Sequence, residues 1–462
     1  MLLLSSHLAE TLGIDTNDPN CEIELSAGIK KTKIKLAVKE SSADVFLFDP
    51  ATVEETLLAR THQPLSFYFD KKAKHLLAGP FLGIACGIPV IMHQPEVLSL
   101  YQEIAETARS QGAVCYFFTP DLINFEKETI TAFTYRCRKP PHKEWVLQDF
   151  PIANIIYNQT GYISEELRPG YRNFFHNYLP DKKTVRLINP FLGLRNKLEI
   201  YRQLITRETV SSFLPETAAC DSPDDIFYFL QKYKAAYLKP LVSSLARGVY
   251  KISAGSRGYV LEYHPSRAEK VRRDFRDKIE LQKALKPVLT AKPYLVQQPL
   301  ELIRFENRPV DFRAHLIKNG LGRWSILIIK ARIGPGGGIV TGPGWGGYRS
   351  LAEDALGRIF SPEETTEIMQ NIQEAVLMIA REIDEVHARP FGELGFDIAV
   401  DVHKKIWMIE VNPKPNWNLP PGADIKKMEK KMAEHLLAYC RYLLNLNAYS
   451  SATGLPGWRS DP

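Results

Sequence analysis

GELGFDIAVDVHKKIWMIEVNPKP, running from Gly392 to Pro415, decides how this chain is read. Apolar and polar residues alternate on either side of His403 and Lys404, which predicts two strands joined there as a hairpin. Whether the connection takes two residues or four, a symmetric register pairs Asp401 with Ile406, and therefore sets Asp397 directly across from Glu410 on one face. Asn412 shares that face. Opposed carboxylates repel, and a hard divalent cation, Mg²⁺ above all, removes the repulsion while taking ligands made only of oxygen. The competing reading is a surface hairpin with its charges in water. Against it, Phe396, Ile398 and Val400 fall on the opposite face, as expected of a strand in a packed sheet.

Upstream, AAYLKPLVSSLARGVYKI carries Lys239 at the end of an apolar strand. A lysine there is costly unless it meets an anion. Ser243, Ser244, Arg247 and the amides near Gly248 could fold over phosphate oxygens, with Lys239 supplying a point charge. The spacing is not the GxxxxGK[ST] of a Walker loop, and an ordinary turn explains the residues equally well. In PYLVQQPLELIRFENRPVDFRAHLI, Asp311 and Arg313 stand two apart on a strand and face the same side. They form either a surface ion pair of little worth or, beside the hairpin, a guanidinium free to bind phosphate or carboxylate in bidentate fashion. In IIKARIGPGGGIVTGPGWGG, Lys330 and Arg332 precede a glycine-dense loop that suits closure over a charged intermediate or is merely flexible.

The wider chain sets the frame. Its 462 residues are too many for one core. With 45% hydrophobic and 24% charged residues, the composition excludes a disordered chain, and a net charge of +6 does not mark a nucleic-acid or membrane protein. No two of the six cysteines are close enough for a short metal-ligand pair, and MLLLSSHLAE lacks the features of a secretory signal, so a reducing cytoplasm is expected. The apolar stretch Leu76 to Met92 is broken by Pro80 and Pro89 and reads as short buried strands in place of a membrane span. Residues 1–78 read as a small β-rich domain, 79–190 as a parallel α/β unit, 191–446 as an α+β region and 447–462 as a disordered tail. Asn158, at a strand end in the α/β unit, either touches a ligand or simply ends the strand. In the α+β region, Ser361 and Glu364 form a capping box before a helix whose stripe of Ile368, Ile372, Val376, Ile379, Ile383 and Val386 is core.

The order of these features resembles the ATP-grasp superfamily: Asn196 and Lys197 on a helix, a strand lysine, a Ser/Gly loop, an apolar hinge, DxR, a cationic strand with a glycine loop, and the D…ExN hairpin. Together with GPFLGIACG, PIANIIYNQT, RNKLEIYRQL, LPET and GELGFD, the pattern from Gly79 to Trp417 is similar to the YheC/YheD family of endospore coat-associated ATP-grasp proteins. The resemblance implies a multidomain α+β and α/β protein, its ATP-grasp fold preceded by an α/β pre-ATP-grasp domain and the β-rich N-terminal domain. It implies ATP with Lys197 and Lys239 at the phosphates and the Ser243 to Gly248 loop as a lid. Gln297, Gln298 and Leu300 would then lie at the adenine hinge, with Asp311 near the ribose. By the same likeness Asp397 and Glu410 hold one Mg²⁺, Glu410 and Asn412 a second, and Arg313, Lys330 and Arg332 surround the γ-phosphate and an acceptor carboxylate. Gln297 stands where many members have Glu, and Lys414 where small residues are frequent.

The reaction so implied is ATP-dependent joining of a carboxylate to an amine through an acylphosphate, with ADP and phosphate released. A spore coat-associated scaffold that binds ATP without turnover is the alternative. A nucleic-acid-binding role lacks an aromatic platform with interleaved basic residues.

Overall fold

The computed structural model describes the chain except for residues 16–20, 41–45, 57–62, 87–94, 140–141, 161–164, 182–183, 190–196, 243–246, 267–268, 343–345, 388–390, 455 and 459–462. Four sheets are built from it, and the chain divides into two compact units. One contains Met1–Pro190, Ile317–Arg323 and Lys426–Pro462; the other contains Phe191–Leu316 and Trp324–Ile425.

In the first unit, the β-rich segment forms an eight-stranded sheet. The sequence predicts disorder over 447–462; within that span Ser450–Gly454 pairs antiparallel with Leu65–Asp70 at one edge, and Pro456–Trp458 pairs parallel with Phe46–Phe48 at the other, while residues 455 and 459–462 lie outside the described residues. A single residue separates these two segments, so the edges of the sheet must meet and the C-terminal strand closes it. These polar, glycine-containing segments form strands because the unpaired backbone of two edge strands recruits them. A second sheet runs parallel through Val114–Phe118, Phe81–Ala85, Ile155–Asn158 and Arg186–Ile188, with the Pro95–Ser110 helix as a crossover. The stretch Leu76 to Met92 enters two strands, His75–Ala78 and Phe81–Ala85, as far as it is described. Among the described residues no helix is long and apolar enough to cross a membrane. Asn158 is fully buried, donating to Tyr171 and accepting from Thr160, which makes it a strand-ending residue.

The second unit holds two antiparallel sheets. One runs in the order Thr217–Cys220, Tyr294–Gln297, Ala235–Pro240, Tyr250–Gly255, Gly258–Ser266, Glu269–Phe275, packed on helices Pro223–Tyr233 and Lys278–Ala291. The other places Tyr348–Leu351, Trp324–Ile333, Arg308–Lys318, Glu393–Val400 and Ile406–Asn412 side by side. Helix Pro362–Val386 starts at the expected capping box of Ser361 and Glu364. Its Ile368, Ile372, Val376, Ile379 and Ile383 are fully buried, each worth roughly 1.5–3 kcal/mol. They pack with Val310, Phe312, Phe396, Ile398 and Val400. Because side chains alternate along a strand, burying these residues turns Asp311, Arg313 and Asp397 to the other face of the sheet.

Candidate functional site

Asp397 and Glu410 lie directly opposite each other, as the alternation predicts, but not through the expected register. The pair expected at the turn, Asp401 with Ile406, does not form, and Ile406 pairs with Val400. Five residues, 401–405, connect the strands, with Lys404 at φ 64° and the Asp401 carboxylate accepting from the His403 and Lys405 amides. A bulge between Asp397 and Ile398 then restores the pairing at the site. Tyr201, on helix Lys197–Leu204, lies within hydrogen-bond reach of the carbonyls at this bulge, 3.0 Å from Met408 and 2.5 Å from Ile409.

Two carboxylates facing each other across neighbouring strands repel. Here cations meet them from three elements. Arg313 Nε is 2.7 Å and Arg332 Nη2 2.8 Å from Asp397, while Lys197 Nζ is 3.3 Å from Glu410. Burial pushes the Asp397 carboxyl up, but Arg313 and Arg332 outweigh it and hold the group below the ordinary carboxylate value. Gly395 makes room for this contact, since a Cβ there would lie 2.6 Å from Pro415 Cβ and 2.9 Å from Arg313 Nη1.

Asp311, expected near a ribose, is engaged on both oxygens: Arg332 donates to each at 2.6 Å, and Thr341 of the glycine loop donates to Oδ2. Burial raises its carboxyl while Arg332 opposes the rise. Lys330 is 4% exposed and donates to the Asn418 carbonyl at 2.6 Å. Burial first, then Arg313, Arg349 and Arg332, lower its ammonium to about 7.

On the other sheet, Lys239 donates to Gln297 at 2.6 Å, and Gln297 donates to Thr217. Burial and the neighbouring Lys197 lower Lys239 to about 8. Gln298 exchanges hydrogen bonds with the Glu216 backbone, and Leu300 follows in a half-buried, non-repetitive segment. Ser243 and Ser244 lie outside the described residues. Arg247 is exposed, and Gly248 has φ 74°, a conformation that favours glycine. The glycine loop reaches this sheet: Lys270 donates to the Gly337 carbonyl and Tyr237 to that of Ile339.

Among the described residues no group of three or more His, Cys, Asp or Glu side chains is placed to hold a metal ion. The oxygen donors available are the carboxylates of Asp397 and Glu410 and the amide of Asn412, whose Oδ1 accepts from the Lys414 amide at 2.9 Å. An all-oxygen set is the donor chemistry Mg²⁺ takes, and Glu410 is partly open to solvent, but Asp397 is already engaged by Arg313 and Arg332 and would have to yield an oxygen to the ion. Sequence reasoning missed Tyr201, Thr341, and the pair of His315 and Glu393, whose ring nitrogen and carboxylate oxygen are 2.5 Å apart. For His315 a signal existed, two residues beyond Arg313 on the same strand face.

A family model described as YheC/D-like ATP-grasp matches residues 184–443. Endospore coat-associated protein YheD of Bacillus subtilis is 26% identical over 377 residues, 79% of each chain. Endospore coat-associated protein YheC of the same organism is 26% identical over 351 residues, 74% of this chain and 92% of its own. Among solved structures, D-alanyl-alanine synthetase A from Vibrio cholerae aligns at TM-score 0.46 and 12% identity, over 79% of this chain and 99% of that one. The ATP-grasp ligase PsnB complexed with minimal precursor aligns at 0.44 and 11%, over 78% and 99%.

Proposed function

The chain belongs to the YheC/D-like ATP-grasp family, and from that premise we propose that it is an ADP-forming ligase joining a carboxylate to an amine through an acylphosphate. The observation that carries this reading is the concentration of Arg313, Lys330 and Arg332 on one sheet face around Asp397, a buried cluster of cationic side chains. Such a site is prepared for negative charge that arrives with substrate and gathers during phosphoryl transfer.

Lys197 and Lys239 bind the ATP phosphates, and the Ser243 to Gly248 loop covers them. Gln297, Gln298 and Leu300 form the hinge beside the adenine. Asp311 positions Arg332, since both its oxygens are already engaged by that residue and Thr341. Mg²⁺, held by Asp397, Glu410 and Asn412, would supply positive charge to the phosphate oxygens. Arg313 and Arg332 orient the acceptor carboxylate for attack on the γ-phosphorus, and the glycine loop excludes water that would hydrolyse the acylphosphate. The amine then displaces phosphate.

The test follows oxygen. With a carboxylate labelled with oxygen-18, the expected result is one labelled oxygen in the released phosphate, because the attacking oxygen leaves with phosphorus. Unlabelled phosphate, or AMP and pyrophosphate, would contradict γ-phosphoryl activation. Arg313→Lys keeps the charge but loses the planar fork, and is expected to lower turnover more than ATP affinity. A second reading, an ATP-binding spore coat-associated scaffold without turnover, draws on the names of the two Bacillus relatives. Nucleotide binding with no ADP release from any mixture of amino acids and peptides would favour it.

A further inference from the structure

His315 and Glu393 form a buried pair on the site face, their side chains 0% and 4% exposed and their Nε2 and Oε1 atoms 2.5 Å apart. A carboxylate only accepts hydrogen bonds, so Nε2 carries the hydrogen and Nδ1 is left as a lone pair. That Nδ1 is buried and has no hydrogen-bond partner. Trp417 packs edge-on against the imidazole, with ring centroids 5.1 Å apart, and its own Nε1 is likewise buried without a partner. An orphaned buried polar atom costs about 1–3 kcal/mol.

The position of the pair gives the lone pair a use. Asp311, Arg313 and His315 succeed one another on one strand face, leading away from the hinge segment that ends at Leu300. Two strand residues span about 7 Å, so His315 stands one step beyond Arg313 as counted from the hinge segment, on the side away from the proposed adenine position. Glu393 on the neighbouring strand, Lys330 on the other neighbour and Arg313 on its own strand are the charged groups that act on it. Burial holds the imidazole below its ordinary value despite Glu393, which keeps it neutral.

We propose that His315, held in one tautomer by Glu393, is the base that takes the proton from the attacking amine. This rests on the ligase reading above and names a group for its second half. As the amine nitrogen bonds to the acyl carbon, its proton passes to His315 Nδ1. The bond from carbon to the phosphate oxygen breaks, phosphate leaves with the electron pair, and the imidazolium returns the proton to phosphate or water. Glu393 stabilises the transient imidazolium, as the third member of a nucleophile–base–carboxylate arrangement does.

The experiment compares full-length wild type, His315→Asn and Glu393→Gln for ADP release. A pool of N-acetyl amino acids supplies carboxylates, and the nucleophile is either a pool of amino-acid amides or hydroxylamine, an α-effect nucleophile that attacks an acylphosphate readily enough to depend little on a general base and gives up its proton to solvent. With the amides, His315→Asn is expected to lose about 100-fold or more, and Glu393→Gln, which preserves shape, a smaller part of that. With hydroxylamine both variants should lose no more than about threefold. Equal losses with both nucleophiles, or no loss with either, overturn the assignment. Absence of turnover in wild type with every pool counts against the ligase reading itself, and His315 is then judged on the resting protein. Nitrogen-15 NMR of histidine-labelled chain, with the His315 signal identified by its loss in His315→Asn, should show a hydrogen on Nε2 and a lone pair on Nδ1. A hydrogen on Nδ1, or an imidazolium at neutral pH, overturns the proposal.

Discussion

The hydroxyl of Tyr201 lies 2.5 Å from the carbonyl of Ile409, at the bulge that lets Asp397 face Glu410. The hairpin turn puts the strands one residue out of step with the pairing at the site, and the bulge absorbs the difference. A bulge frees backbone groups from the ladder, and a buried carbonyl without a donor is costly. Tyr201→Phe should therefore destabilise the chain by about 1–3 kcal/mol and weaken Mg-ATP binding as the two carboxylates lose their register. Chemical denaturation and a nucleotide titration check this; an unchanged midpoint would show that the bulge needs no support from the helix.

Glu410→Gln should leave the fold intact and abolish the part of nucleotide stabilisation that depends on Mg²⁺. Its partner Lys197 sits at 3.3 Å and the side chain is partly exposed, so the substitution leaves no deeply buried charge stranded. The measurement is the melting-temperature shift with ATP, with and without Mg²⁺. An unchanged Mg-ATP shift would remove Glu410 from the proposed metal site.

Lys239→Ala should weaken ATP more than adenosine, because the contact proposed for it is with phosphates. Binding should also move protons. Burial and Lys197 bring this lysine to about 8 in the free protein, and a polyphosphate raises it again by favouring the charged form. Near pH 8 the chain should take up roughly half a proton on binding ATP, and affinity should fall as pH rises further. Calorimetry in buffers of different ionisation enthalpy reads the uptake, and Lys239→Ala should reduce it.

Lys330 gives a stability prediction with a fixed sign. Its folded value is about 7, against about 10.4 for an unfolded lysine, so between these the unfolded chain holds more protons and stability rises with pH. The penalty for the buried charge is full below about 7 and is relieved as the group deprotonates. Denaturant midpoints at several pH values should show this rise, and Lys330→Met should flatten it. An equal slope in the variant would mean that Lys330 keeps an ordinary value in the fold.

How far the site was legible in the sequence depended on the range of each interaction. Alternation around Asp397 and Glu410 is a local signal, and it correctly turned Phe396, Ile398 and Val400 into the core. The register of the hairpin was not legible, because the turn took five residues and a bulge compensated. Nor was the engagement of Asp311, since its partner Arg332 lies 21 residues away on the next strand.

By itself, the sequence determined which faces of strands and helices are apolar, where the Pro362–Val386 helix begins, and the order of charged segments that marks the family. These are properties of spacing along a few consecutive residues, fixed by backbone geometry. Only the tertiary structure decided that Arg332 bridges Asp311 and Asp397, that His315 meets Glu393 across 78 residues, and that the C-terminal strand closes the N-terminal sheet, with Thr453 beside Ser66 across 387 residues. Such pairings leave no local trace, because a strand edge accepts any chain that satisfies its hydrogen bonds and a buried charge accepts any partner of opposite sign. Which partner arrives is settled by the packing of the whole chain.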